Sequence, residues 1–228
     1  MQARTVWSAE LRRMKPSERQ SFLLEHSGLP GPRANTELAL AFADVADRAE
    51  IDEMLGTGDE YLALCAAVAL GRRAADKVVN VTLRELAADS RWRVREGVAM
   101  GLQLLGDTDP DELDRIVRQW ARDPDPLVER AAAAAICEPR LLRATSRAAT
   151  AIWVCRHTTA ALARRSPESR RDPSVRALRQ TLGYCWSVAV AANPEPGLAA
   201  FRALDDSDPD VAWIIAENLR KKRLTRLL

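Results

Sequence analysis

Asp206-Ser-Asp208-Pro-Asp210 followed by Glu217 puts carboxylates at the first, third, fifth and twelfth positions, the spacing with which a calcium loop wraps oxygen ligands around a hard cation. The sixth position of such a loop must turn sharply and is normally Gly. Here it is Val211, and Pro209 ahead of an apolar run opens a helix where the loop would continue. These carboxylates therefore read as helix caps rather than ligands. Nucleophilic chemistry has as little to work with. His157 stands two residues from Cys155, which on a helix turns the side chains to different faces, and His26 is the only other histidine. Gly56-Thr-Gly58 lacks a third glycine and a preceding strand, so it is a turn and not a phosphate cradle. Cys65, Cys137, Cys155 and Cys185 show none of the short paired spacings of a zinc site and lie in apolar stretches, as reduced core residues do. No catalytic set, metal site or cofactor is assigned.

Charge is the more informative chemistry. The net charge of the 228 residues is only +2, but its placement is uneven. Between Arg140 and Arg179 stand Arg140, Arg143, Arg147, Arg156, Arg164, Arg165, Arg170, Arg171, Arg176 and Arg179 against Glu168 and Asp172, a local charge of +8 that leaves −6 for the rest. Guanidinium forks match phosphate and carboxylate geometry, and a cluster of them concentrates a polyanion. The basic tail through Arg220 to Arg226 follows a helix, where the macrodipole favours cations and capping suffices to explain it.

The elements that hold these residues are helices. Ala, Leu, Arg and Glu dominate, strand formers are scarce, and hydrophobic residues make up 47% of the chain. Five segments align on an apolar anchor: Asp59-Glu-Tyr-Leu62, Arg91-Trp-Arg-Val94, Asp125-Pro-Leu-Val128, Asp172-Pro-Ser-Val175 and Asp208-Pro-Asp-Val211, separated by 32, 34, 47 and 36 residues. Such intervals suit a helix pair with two connections. In this signature, whole in some segments and partial in others, Asp or Ser caps the second helix, Pro fits its first turn and the aliphatic anchor starts the buried stripe. The second helices are expected over 60–71, 92–105, 126–137, 173–191 and 209–221, with partners over 36–55, 76–87, 110–121, 145–164 and 196–204. A further helix over 16–26 caps the open end, and the polar insertion 165–172 enlarges the fourth pair. The expected architecture is an all-α, right-handed α-solenoid of about five pairs. Residues 1–35 form the cap and loop and residues 36–228 the repeat region, all in one continuous domain.

The Asp172-Pro-Ser-Val-Arg176 turn, whole here and partial in the other units, resembles that of HEAT-repeat proteins over most of the chain from Thr36. The resemblance implies a non-enzymatic scaffold that presents a concave face, lined by second helices, to a protein partner. Arg95 and Arg176, one position after their anchors, would then pair with an Asp of a neighbouring turn. A narrower stretch, Ala88 to Gln103 with Trp92-Arg93-Val94-Arg95, resembles the bacterial alkylpurine DNA glycosylases built from HEAT-like repeats. In that family the arginine matching Arg95 faces DNA. Its excision chemistry uses a Trp and an Asp four residues apart in an earlier double-Trp segment, and this chain has no Trp between Thr36 and Ala88. The resemblance thus implies nucleic-acid binding without base excision.

Candidate binding residues are Trp92, Arg93, Arg95, Arg130, Arg176, Arg179, Trp213 and Arg220, together with the basic segment. Trp92 and Trp213 lie beside turns and are surface candidates, whereas Trp7, Trp120, Trp153 and Trp186 read as core. No window approaches the ~20 apolar residues of a membrane span, which points to a cytoplasmic protein with no membrane partner.

Overall fold

A computed structural model describes residues 2–228, all of whose regular structure is helical. The chain divides into two compact units, the first ending at Leu105 and the second beginning at Gly106.

In the first unit α1 (Gln2–Arg13), α2 (Pro16–Glu25), α3 (Thr36–Ala43), α4 (Arg48–Gly56), α5 (Glu60–Gly71) and α6 (Lys77–Ala87) precede α7 (Trp92–Thr108), which runs across the division. The central helix is α5: every residue from Tyr61 to Gly71 is buried, and α2, α3, α4 and α6 pack around it. Asp59 caps it by accepting from the N–H groups of Tyr61 and Leu62. Gly71 and the Gly101 of α7 meet almost backbone to backbone, since a Cβ on Gly71 would lie 2.5 Å from the Gly101 Cα. Only glycine on both helices permits that approach.

Two expectations change here. The single helix over 36–55 is two helices, broken at Asp44 to Asp47. The Asp47 side chain caps α4 in a reciprocal box with Glu50, while Asp44 accepts from Arg4, Ser8 and Arg72. Both carboxylates thus compete with helix continuation. The N-terminal cap is likewise two helices, with α1 packed on α3 ahead of α2.

The second unit contains α8 (Pro110–Trp120), α9 (Pro126–Ile136), α10 (Thr145–Ala163), α11 (Pro173–Ala192), α12 (Pro194–Arg202), α13 (Pro209–Leu219) and the short α14 (Lys222–Thr225). Single 3-10 turns sit at Pro139–Leu141 and Ser169–Arg171. Asp125, Asp172 and Asp208 each cap their helix as expected, with Pro at its first turn. Around α11 pack α9, α10, α12, α13 and α14, so the second helices α9, α11 and α13 lie side by side. Trp120 and Trp186 fill the core, the Trp186 indole donating to Thr159 Oγ1 at 3.0 Å. The long fourth interval is not a loop alone, for α10 has 19 residues where α8 has 11.

Candidate functional site

Half of the ten arginines between Arg140 and Arg179 are engaged by carboxylates of the second unit. Arg140 bonds both oxygens of Asp107 at 3.1 Å, and Arg147 approaches Asp111 at 3.9 Å. Arg165 reaches the buried Glu129 at 2.7 Å, Arg170 reaches Asp208 at 2.6 Å, and Arg179 reaches Asp210 at 2.5 Å. The last three pairs join successive repeats. Arg93 makes the equivalent contact in the first unit, 2.8 Å from Glu60. The inter-repeat ladder therefore uses arginines other than those the anchor spacing suggests. Arg95 spends one guanidinium nitrogen on the carbonyls of Asp89 and Ser90, at 2.5 and 2.9 Å, closing its own turn. Arg176 is exposed and has no ion pair among the described residues.

Arg143, Arg156, Arg164 and Arg171 are exposed in the same way and likewise make no close ion pair among the described residues, though the charge of Arg164 is felt by Glu129. Two of the unpaired arginines lie in one place. A shallow groove of about 660 Å³ at the start of α11 and α13 is lined by Arg170, Arg171, Arg176, Arg179, Gln180 and Asp210. Asp208 and Asp210 fix Arg170 and Arg179, leaving Arg171 and Arg176 directed by nothing but solvent. Arg130 is half-buried on α9, and Arg220 is exposed and bonded to Glu217 at 2.5 Å.

Guanidinium groups also cover the candidate aromatics. Arg93 lies 4.6 Å from the centroid of Trp92, which is 53% exposed, and Arg179 lies 4.7 Å from that of Trp213. Trp213 is half-buried, its ring against Gly183 of α11. Trp7 and Trp153 are not core residues. Trp7 stands half-buried in an aromatic cluster with Phe22 and His26.

Trp153 is half-buried on α10, stacked on His157 at 4.8 Å, with Arg118 and Arg122 at 5.0 and 4.5 Å from its ring centroid. Arg118 is steered there by Thr150, whose hydroxyl accepts from it at 2.9 Å and donates to Asp114 at 3.0 Å. Burial holds the Asp114 carboxyl above its usual range despite those partners, and burial with the nearby Arg122 and Arg164 holds His157 below its own. Sequence reasoning passed over this group. The available signal was the i, i+4 spacing of Trp153 and His157, which sets both rings on one face of α10, with Arg118 in the last turn of α8 and Arg122 in the turn that follows it.

The cysteines are buried thiols, yet three of them converge. Cys137 and Cys155 stand 3.7 Å apart, and the Cys185 thiol donates to the Ala133 carbonyl nearby. Burial pushes the Cys65 thiol upward, and at Cys137 the hydrogen bond with Cys155, together with burial, raises the thiol against a lowering contact from Cys185. Among the described residues no group of three His, Cys, Asp or Glu side chains could hold a metal ion, and no helix is long and apolar enough to cross a membrane. In the calcium-like stretch, Asp208 caps α13 and also binds Arg170, Asp210 binds Arg179, and Glu217 binds Arg220. Those carboxylates serve the helix start and the ladder.

No curated protein and no solved structure matches the chain. The family model of HEAT repeats matches residues 50–137, which takes in α5 to α9 and three of the five anchors. The matched stretch therefore consists of HEAT repeats, and stacked helix pairs, Asp-Pro caps and arginine links between successive turns continue beyond it.

Proposed function

We propose that this HEAT-repeat protein is a non-enzymatic cytoplasmic scaffold that presents the second helices α9, α11 and α13 to an acidic protein partner. The observation that supports the reading is the groove in which Arg171 and Arg176 are exposed without carboxylates while Arg170 and Arg179 are held in place. Fixed guanidinium groups lose little entropy on meeting a carboxylate, and the unpaired ones supply the attraction. Trp213 and Tyr184 add aromatic surface on the neighbouring turns of the same helices. The test is capture from a native extract followed by titration of the purified partner. Charge reversal in R171E/R176E should weaken binding about tenfold or more; undiminished capture by that variant overturns the reading.

A second reading, duplex DNA as the ligand, draws on the same unpaired arginines and the +8 segment. It gains nothing from Arg95, whose guanidinium is engaged by Asp89 and Ser90. Neutralised phosphates release counterions, so DNA affinity must fall steeply with salt. No detectable binding at low salt ends this reading, and no base release from alkylated DNA is expected.

A further inference from the structure

A second cleft of the second unit lies among the first helices, between α10 and α12, and does not involve the groove of Arg171 and Arg176. Its volume is about 570 Å³, the size that encloses a small organic ligand. The floor is apolar, built from Ala160, Ala163, Ala200, Ala203, Leu204 and Val211. Small residues on both facing helices are what leave the space.

The rim is cationic. Arg156 and Arg164 lie about 12 Å apart along α10 and bracket the floor, each exposed and in no close ion pair among the described residues. At the Arg156 end, one residue on, stands His157, held against Trp153 by ring stacking, with Arg122 over the same indole. Burial, reinforced by the positive field of Arg122 and Arg164, holds the His157 imidazole below its usual range, and the ring offers a hydrogen-bonding nitrogen to the cleft. One carboxylate lines the cleft, Asp205, and its Oδ1 is occupied by the Ser207 N–H and hydroxyl at 3.1 and 2.6 Å.

We propose that the α10–α12 cleft binds a small amphipathic acid, with its apolar body on the alanine floor and its anionic head on the rim that Arg156, His157 and Arg164 form. An apolar ligand without charge forgoes the attraction of the two exposed guanidinium groups, and a purely polar anion forgoes the floor. The combination of the two surfaces selects a molecule that carries both.

The probe is 8-anilinonaphthalene-1-sulfonate, read by its fluorescence, with the uncharged N-phenyl-1-naphthylamine as control and decanoate against decanol as competitors. One saturable site is expected, displaced by decanoate in preference to decanol. R156A/R164A, which breaks no ion pair, should weaken the sulfonate about tenfold and leave the neutral dye unchanged. A160F, on an exposed position, should fill the cleft and remove binding of both. R171E/R176E should change neither, which separates this site from the proposed partner surface. Absence of sulfonate binding, equal affinity for the neutral dye, or unchanged affinity in R156A/R164A or in A160F overturns the proposal.

Discussion

The guanidinium of Arg165 stands 2.7 Å from the carboxylate of Glu129, 36 residues earlier in the chain, and the Glu129 side chain is only 2% exposed. Burial pushes that carboxyl up to about 7, against the opposing hydrogen bond and charge of Arg165 and with a small further push from Asp123. The folded value thus lies above the ordinary 4.5, so the native state holds the proton more tightly than the unfolded chain. The associated stability is complete below 4.5, fades between there and 7, and is absent above. E129Q removes this titration. Urea unfolding at pH 5, 6.5 and 8 should show the wild type losing up to about 3 kcal/mol relative to E129Q across that range. Parallel profiles for the two proteins would count against it.

Asp44 organises the first unit by accepting from Arg4 at 2.7 and 3.0 Å, from Ser8 at 3.1 Å and from Arg72. Burial works to raise its carboxyl, and these partners together bring it below the usual range. The charge therefore stabilises the fold above pH 3.8 and is lost as pH falls further. D44N should cost about 1–3 kcal/mol at pH 7. In a cycle with R4A the two losses should not add, falling short of their sum by at least about 0.5 kcal/mol.

The meeting of α5 and α7 leaves no room for a methyl group. A Cβ on Gly101 would stand 2.6 Å from the Val68 carbonyl oxygen and 2.7 Å from the Gly71 Cα, both rigid backbone. G101A should destabilise the protein by about 1–3 kcal/mol although Ala is the better helix former. A midpoint in urea equal to or above that of wild type would refute this account.

Asn218 ties α13 to α11. Its Oδ1 accepts from the Ser187 N–H at 2.8 Å, and its amide donates to the Leu182 and Ile214 carbonyls at 2.9 and 2.8 Å, all away from solvent. N218L keeps the branched shape of the side chain, somewhat enlarged, and removes the bonds. The expected loss is about 1–3 kcal/mol, measured by thermal or urea unfolding; a neutral substitution would show that the bonds are redundant.

Sequence patterning was enough for the helix starts and the repeat. Asp125, Asp172 and Asp208 lie next to the N–H groups they cap, so residue type and a spacing of two or three decide the outcome. The same locality makes the second helices readable to within a residue or two at most ends. It failed where a local choice was overruled, as at Asp44, whose carboxylate is claimed by Arg4 from 40 residues away and whose helix stops there.

Which arginines bind carboxylates and which face solvent was decided by tertiary structure alone. Arg170 and Arg171 are neighbours of one type, yet Arg170 meets Asp208 across 38 residues and Arg171 meets none. Trp120 and Trp153 likewise lie on apolar-looking helices, but the first is sealed in the core and the second opens on a cleft whose far wall is α12. Caps and periodicity depend on neighbours within a turn of helix, so the order of residues contains them. Ion pairing and exposure depend on which distant helix arrives alongside, and only the packed chain supplies that.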